Sequence, residues 1–159
     1  MIQEWNTAIA RFIELAAKHK VRMLMVGGGA VNFHGYQRHS ADVDFWIDIS
    51  SDNFKRLIQV FKEMDYEIED FPQEVKDQKQ NISVKFSPVD LDLELITNFS
   101  VNKSFDDAYE RSKVVKLERN KAELVWRVIS LEDLLTSKIK SGRPKDLLDV
   151  QQLQKIHSS

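Results

Sequence analysis

The stretch VRMLMVGGGAVNFHGYQRHSADVDFWID, residues 21–48, decides how this chain is read: a short apolar run ends in three glycines, and an Asp-x-Asp follows. Val21 to Val26 fits a strand buried on both faces. Gly27, Gly28 and Gly29 permit backbone angles that other residues resist, so a tight turn is expected there. Ala30 to Tyr36 then has helix character. The backbone N–H groups of Gly28 to Ala30 would point outward at its N-terminus and suit an anion of phosphate size. Asn32 stands where a dinucleotide fingerprint needs its third glycine, and the Lys-Ser/Thr ending of a P-loop is missing. Glycine triplets also serve plain strand-to-helix turns, so this feature alone decides nothing.

The aspartates add the second half of the signal. In Asp42-Val43-Asp44-Phe45-Trp46-Ile47-Asp48 the apolar residues are too dense for a solvated loop. A strand would put Asp42 and Asp44 on one face, because side chains alternate. Two such carboxylates near the glycine turn suit Mg²⁺, or Mn²⁺ in its place, which takes hard oxygen ligands and keeps positions for water and substrate phosphates. The plainer reading is a pair of exposed carboxylates balanced by Arg38 and His39.

A third carboxylate is expected on Val89-Asp90-Leu91-Asp92-Leu93-Glu94-Leu95-Ile96. Alternation sends Val89, Leu91, Leu93 and Leu95 to a core and puts Asp90, Asp92 and Glu94 on the other face. Three same-face acids disfavour one another unless a cation compensates them. Asp92 or Glu94 is the preferred third member, and the sequence does not separate them.

These residues resemble the nucleotidyltransferase superfamily typified by DNA polymerase beta, in its small prokaryotic minimal branch. The resemblance rests on Gly28-Gly29-Ala30, His34-Gly35, Arg38-His39-Ser40, Asp42-Val43-Asp44 and the later Gly142-Arg143-Pro144-Lys145-Asp146, and covers about residues 20 to 155. It implies transfer of a nucleoside monophosphate from an NTP to an acceptor hydroxyl, with release of pyrophosphate. Two metals roughly 4 Å apart would stabilise the attacking and leaving oxygens. Asp42 and Asp44 would bridge them, Asp92 or Glu94 would complete the set and act as general base, and Gly28 and Gly29 would cradle the leaving diphosphate. The acceptor would be a small molecule, a protein side chain or an RNA end. The surface that binds it would come from a partner protein, a homodimer or the 97–129 region. A module of toxin-antitoxin or interaction type that binds nucleotide with little transfer is the alternative.

Cations should offset the phosphate charge. Ser130-Leu131-Glu132-Asp133 has the form of a capping box, and Leu131, Leu134, Leu135 and Ile139 mark the apolar stripe of the helix that follows. Ser141-Gly142 stops that helix, and Arg143-Pro144 starts another with Leu147, Leu148, Val150 and Leu153 inward. Lys138, Arg143 and Lys145 would then gather at a helix junction as phosphate ligands, although solvated charge is the default for each. Asp146 and Asp149 are better suited to capping or to pairing with Arg143. Arg38 can offer a planar fork to phosphate and Ser40 a hydroxyl, with packing or strand-entry roles as the alternatives. His34 reads as a hydrogen-bonded core histidine.

The remaining sequence bounds the answer. The chain has 159 residues, 42% of them hydrophobic, enough for one α/β domain over 1–159. The expected architecture is a mixed β-sheet with helices on one face, carboxylates on the other and helices at the C-terminal end. A net charge of −2 gives no overall basic signature for nucleic acid, and zero cysteines exclude disulfides and thiolate metal sites. No apolar run has the length of a membrane span and the N-terminus is unlike a signal peptide, so a cytoplasmic protein without membrane contact is expected. Helical spacing predicts helices over 5–18, 52–64 and from Ser104. Alternation predicts short strands over 66–69 and 82–86, a strand pair at 114–117 and 124–128, and a loop over 72–80.

Overall fold

The computed structural model describes residues 7–37, 42–86, 92–119 and 121–158. Its centre is a six-stranded mixed sheet in the order β3-β4-β2-β1-β6-β5. The strands are β1 (Met23–Val26), β2 (Asp42–Ile47), β3 (Ile82–Lys85), β4 (Asp92–Ile96), β5 (Lys113–Arg119) and β6 (Ala122–Val128). β1 runs antiparallel to β2 and parallel to β6, β2 runs parallel to β4, and the outer strands β3 and β5 pair antiparallel with β4 and β6. Seven helices are described: α1 (Thr7–Lys18), α2 (Gly27–Phe33), α3 (Ser51–Glu63), α4 (Gln73–Lys76), α5 (Phe105–Glu110), α6 (Leu131–Ser141) and α7 (Pro144–His157). Trp5, expected at the start of the first helix, lies outside the described residues.

Period-two alternation sets the two faces of the sheet. Val43, Phe45 and Ile47 of β2, with Leu93 and Leu95 of β4, are buried. Phe45 meets Phe12 of α1 at 6.3 Å between ring centroids, and Phe12 meets Phe61 of α3 at 5.8 Å, so α1 and α3 cover this face. β1 is buried at all four positions, as its apolar run requires of a central strand. On the other side of β2, Trp46 packs on Phe99 and Phe105 and closes the sheet beyond the aspartates.

Several elements differ from expectation for physical reasons. The glycine triplet is the first turn of α2, and the helix ends at Phe33 because Gly35 takes φ 115. Residues 66–69 form no strand: Tyr66 packs edge-on to Phe61, and Ile68 packs against the core from an irregular segment. Within the expected loop, α4 forms and buries Val75. The Ser50, Ser104 and Ser130 side chains cap α3, α5 and α6, and Gly142 ends α6 in the left-handed conformation.

Candidate active site

The acids come together through the register of β2 and β4, which sets Asp42 opposite Asp92 and Asp44 opposite Glu94. Residues opposite one another on paired strands share a face, so the four carboxylates form a two-by-two array at the start of both strands. β3 extends it by setting Lys85 opposite Asp92 and Ser83 opposite Glu94. The Ser83 hydroxyl donates to Glu94 Oε2 at 2.6 Å.

The electrostatics follow from this crowding. Asp44 is pushed up from 3.8 to about 6, first by burial and then by the charges of Asp42 and Glu94, while Lys138 and Lys145 pull it down. Among the described residues, no three His, Asp or Glu side chains already converge on one metal position. The donors are nevertheless of the right kind for Mg²⁺: hard oxygens in adjacent register, in a negative field that a divalent cation would neutralise.

The glycines serve this array directly. Gly27 follows β1 with φ +62, and a Cβ there would stand 2.3 Å from Asp44 Oδ2. At Gly29 a Cβ would stand 2.9 Å from Met25 Sδ. Val26, at the N-cap of α2, provides no side-chain cap to the first turn, and Gly28 and Gly29 are buried. Glycine is therefore needed at Gly27, where Asp44 presses against the turn, and Gly29 leaves room for Met25.

The expected cations meet at the α6–α7 junction. Lys138 is buried, with Nζ 3.2 Å from Asp146 Oδ1 and 3.1 Å from Asp149 Oδ2. Arg143 Nε donates to Asp146 Oδ2 at 2.6 Å, and the Ser141 hydroxyl donates to the same oxygen. Burial opposes ionisation of Asp146, but the bonds from Arg143, Ser141 and Lys138 outweigh it and hold the carboxyl well below its ordinary range. Lys145 is exposed and, with Lys138, acts on Asp44 through its field. Asp146 and Asp149 thus pair with cations.

Other expected residues have varied positions. Arg38, Ser40 and Asp90 lie outside the described residues. His34 is buried, its Nε2 lies 2.7 Å from the Ile129 carbonyl oxygen, and burial chiefly lowers its pKa. Ile139, Leu147 and Leu148 do not turn inward; they are 55%, 49% and 47% exposed. Sequence reasoning missed two residues. Ser83 reads as an ordinary polar position on an alternating strand. Asn53 of α3, which the apolar stripe of that helix does not include, is fully buried and bonds Arg22 N, Arg22 O and the Asp48 carbonyl; an amide between Asp52 and Phe54, next to that stripe, is the available signal.

Comparison with curated proteins finds no match. Residues 7–158 match the profile of a family described as "nucleotidyltransferase of unknown function", DUF6036. That span takes in the glycine turn, both acidic strands and the cation junction. Among the described residues, no helix is long and apolar enough to cross a membrane. The chain belongs to the DUF6036 family of nucleotidyltransferases.

Proposed function

We propose that the protein transfers a nucleoside monophosphate from an NTP to an acceptor hydroxyl and releases pyrophosphate, using Mg²⁺ or Mn²⁺. The observation that carries this reading is the register of Asp42 with Asp92 and Asp44 with Glu94, beside a glycine turn that leaves room for Asp44. Asp42 and Asp44, with Asp92 or Glu94, would hold the metal. When bound, it supplies charge stabilisation for the attacking and leaving oxygens of an in-line displacement.

The chain's own residues do the rest. Asp92 or Glu94 accepts the proton of the acceptor hydroxyl. The backbone of Gly28 and Gly29 borders the leaving diphosphate. Lys145 and Arg143 meet phosphate charge from the α7 side; Arg38 and Ser40, which lie outside the described residues, are the further candidates that the sequence offers for this role. Lys138, held by Asp146 and Asp149, tempers the negative field that Asp42 and Glu94 impose on Asp44. The acceptor is a small molecule, a protein side chain or an RNA end. Exposed Ile139, Leu147 and Leu148 offer a partner protein or a second copy an apolar surface beside the junction.

The test is incubation with each labelled NTP and Mg²⁺, alone and with cell extract, beside Asp42→Ala and Asp44→Ala. Label transfer and pyrophosphate release, lost in both variants, are expected. Thermal stabilisation by NTP without release would overturn the reading in favour of a nucleotide-binding module of toxin-antitoxin type.

A further inference from the structure

We propose that the protein also nucleotidylates itself, with Ser83 Oγ as the acceptor. This rests on the transfer reaction proposed above and adds to it a site of modification in the chain. Transfer needs a hydroxyl within hydrogen-bond reach of a carboxylate that can take its proton, and Ser83 meets this requirement by donating to Glu94 Oε2 at 2.6 Å. Several other hydroxyls among the described residues are engaged away from the acid row. Ser50, Ser104 and Ser130 accept from backbone N–H groups at helix starts, Ser50 also donates to Asp48 at 3.3 Å beyond the far end of β2, Ser112, Thr136 and Ser137 donate to backbone carbonyls, and Ser141 donates to Asp146.

Register puts Ser83 in line with the reacting groups. Ser83 is opposite Glu94, and Glu94 is opposite Asp44, so the three stand in one row across β3, β4 and β2. Ser83 is exposed, and among the described residues β3 is an edge strand of the sheet. Lys85, two residues on, shares the face and brings a cation beside the phosphodiester that would form.

The step balances. Ser83 Oγ forms a bond to the α-phosphorus while the bond from that phosphorus to the α–β bridging oxygen breaks. Pyrophosphate leaves with the electron pair, and the Ser83 proton passes to the Glu94 carboxylate and then to water. The product is a phosphodiester joining Ser83 to the nucleoside, and it would cover the acid row against further acceptors.

The experiment uses the full chain with Mg²⁺ and each NTP in turn, without another acceptor, read by intact mass and by fragmentation of the peptide that carries Ser83. One added nucleoside monophosphate on Ser83 is expected, absent from Ser83→Ala and retained by Ser83→Thr, which keeps a hydroxyl on the strand. Thermal melting of Ser83→Ala establishes that its fold is intact. Protein taken directly from expressing cells should carry the same mass at Ser83 before nucleotide is added. Transfer to an extract acceptor with Ser83 unmodified, or an adduct mapped to another residue, would overturn the inference and leave the transferase reading standing. Absence of pyrophosphate release with every NTP, with and without extract, would overturn both.

Discussion

Asp44 occupies the space that a side chain on Gly27 would need. Val26 pairs with Asp44 across β1 and β2, the chain then turns at Gly27 with φ +62, and a Cβ added there would lie 2.3 Å from the carboxylate oxygen. The turn and the acid are therefore one packing unit. The first glycine is required by Asp44 on β2, whatever the turn itself binds.

Gly27→Ala combines a left-handed backbone with a collision at Asp44. Strain of this kind costs about 1–3 kcal/mol, and relief requires Asp44 to move off its row. Denaturant melts should show that loss, and nucleotidyl transfer should fall by more than the unfolded fraction explains.

Asp44 should make stability depend on pH in a defined direction. Its folded value of about 6 lies above its ordinary 3.8, so between these values the folded chain keeps a proton that the unfolded chain releases. Stability therefore declines as pH rises through that window and levels off above it. Partial exposure makes the full effect at most on the order of 2–3 kcal/mol. Melts across this range in chelator should show the slope for the wild type and a flatter profile for Asp44→Asn. Mg²⁺ bound as proposed would compete with the proton, so its stabilising effect should grow as pH rises past about 6 and be small in Asp44→Asn.

Lys138→Met would leave Asp146 and Asp149 buried without their shared cation, at a cost of about 3–5 kcal/mol. Arg143→Ala should cost under about 1 kcal/mol, since that side chain is largely exposed and Asp146 keeps Lys138 and Ser141. Asp146 has its folded pKa lowered, so its contribution is present above its ordinary carboxylate range and is lost as pH falls through and below that range. Urea midpoints of the two variants, measured at neutral and acidic pH, check both statements.

The outer face of the acidic strands was legible in the sequence because period-two alternation is a local signal. Their register was not. Asp44 and Glu94 are roughly fifty residues apart, and nothing local fixes which acid faces which. The start of α2 was misplaced because glycine has poor helix propensity, whereas packing of Gly28, Gly29, Ala30 and Val31 against the protein interior makes the triplet helical. On α7 the inward positions are Asp146, Asp149, Val150 and Leu153. Two of these are charged and paired with Lys138, so a search for apolar periodicity selected Leu147 and Leu148 instead. Ser83 gains its meaning only from the strand beside it.

Asn53→Ala should separate the start of α3 from the strand ends it joins. Three hydrogen bonds to Arg22 and Asp48 would go at once, and their backbone partners are partly buried. A loss of about 2–4 kcal/mol is expected, with faster amide exchange at Arg22, which hydrogen-exchange mass spectrometry would detect.

The parallel pairing of β1 with β6 joins Met25 to Val128, positions roughly a hundred residues apart. α6 and α7, with Lys138 and Lys145, follow β6 in the chain. During synthesis the carboxylate array can therefore exist before the lysines that temper it. A ribosome-bound or proteolytically shortened chain ending before β6 would carry the acidic strands without Lys138 and Lys145, and so hold more uncompensated negative charge there than the finished protein does.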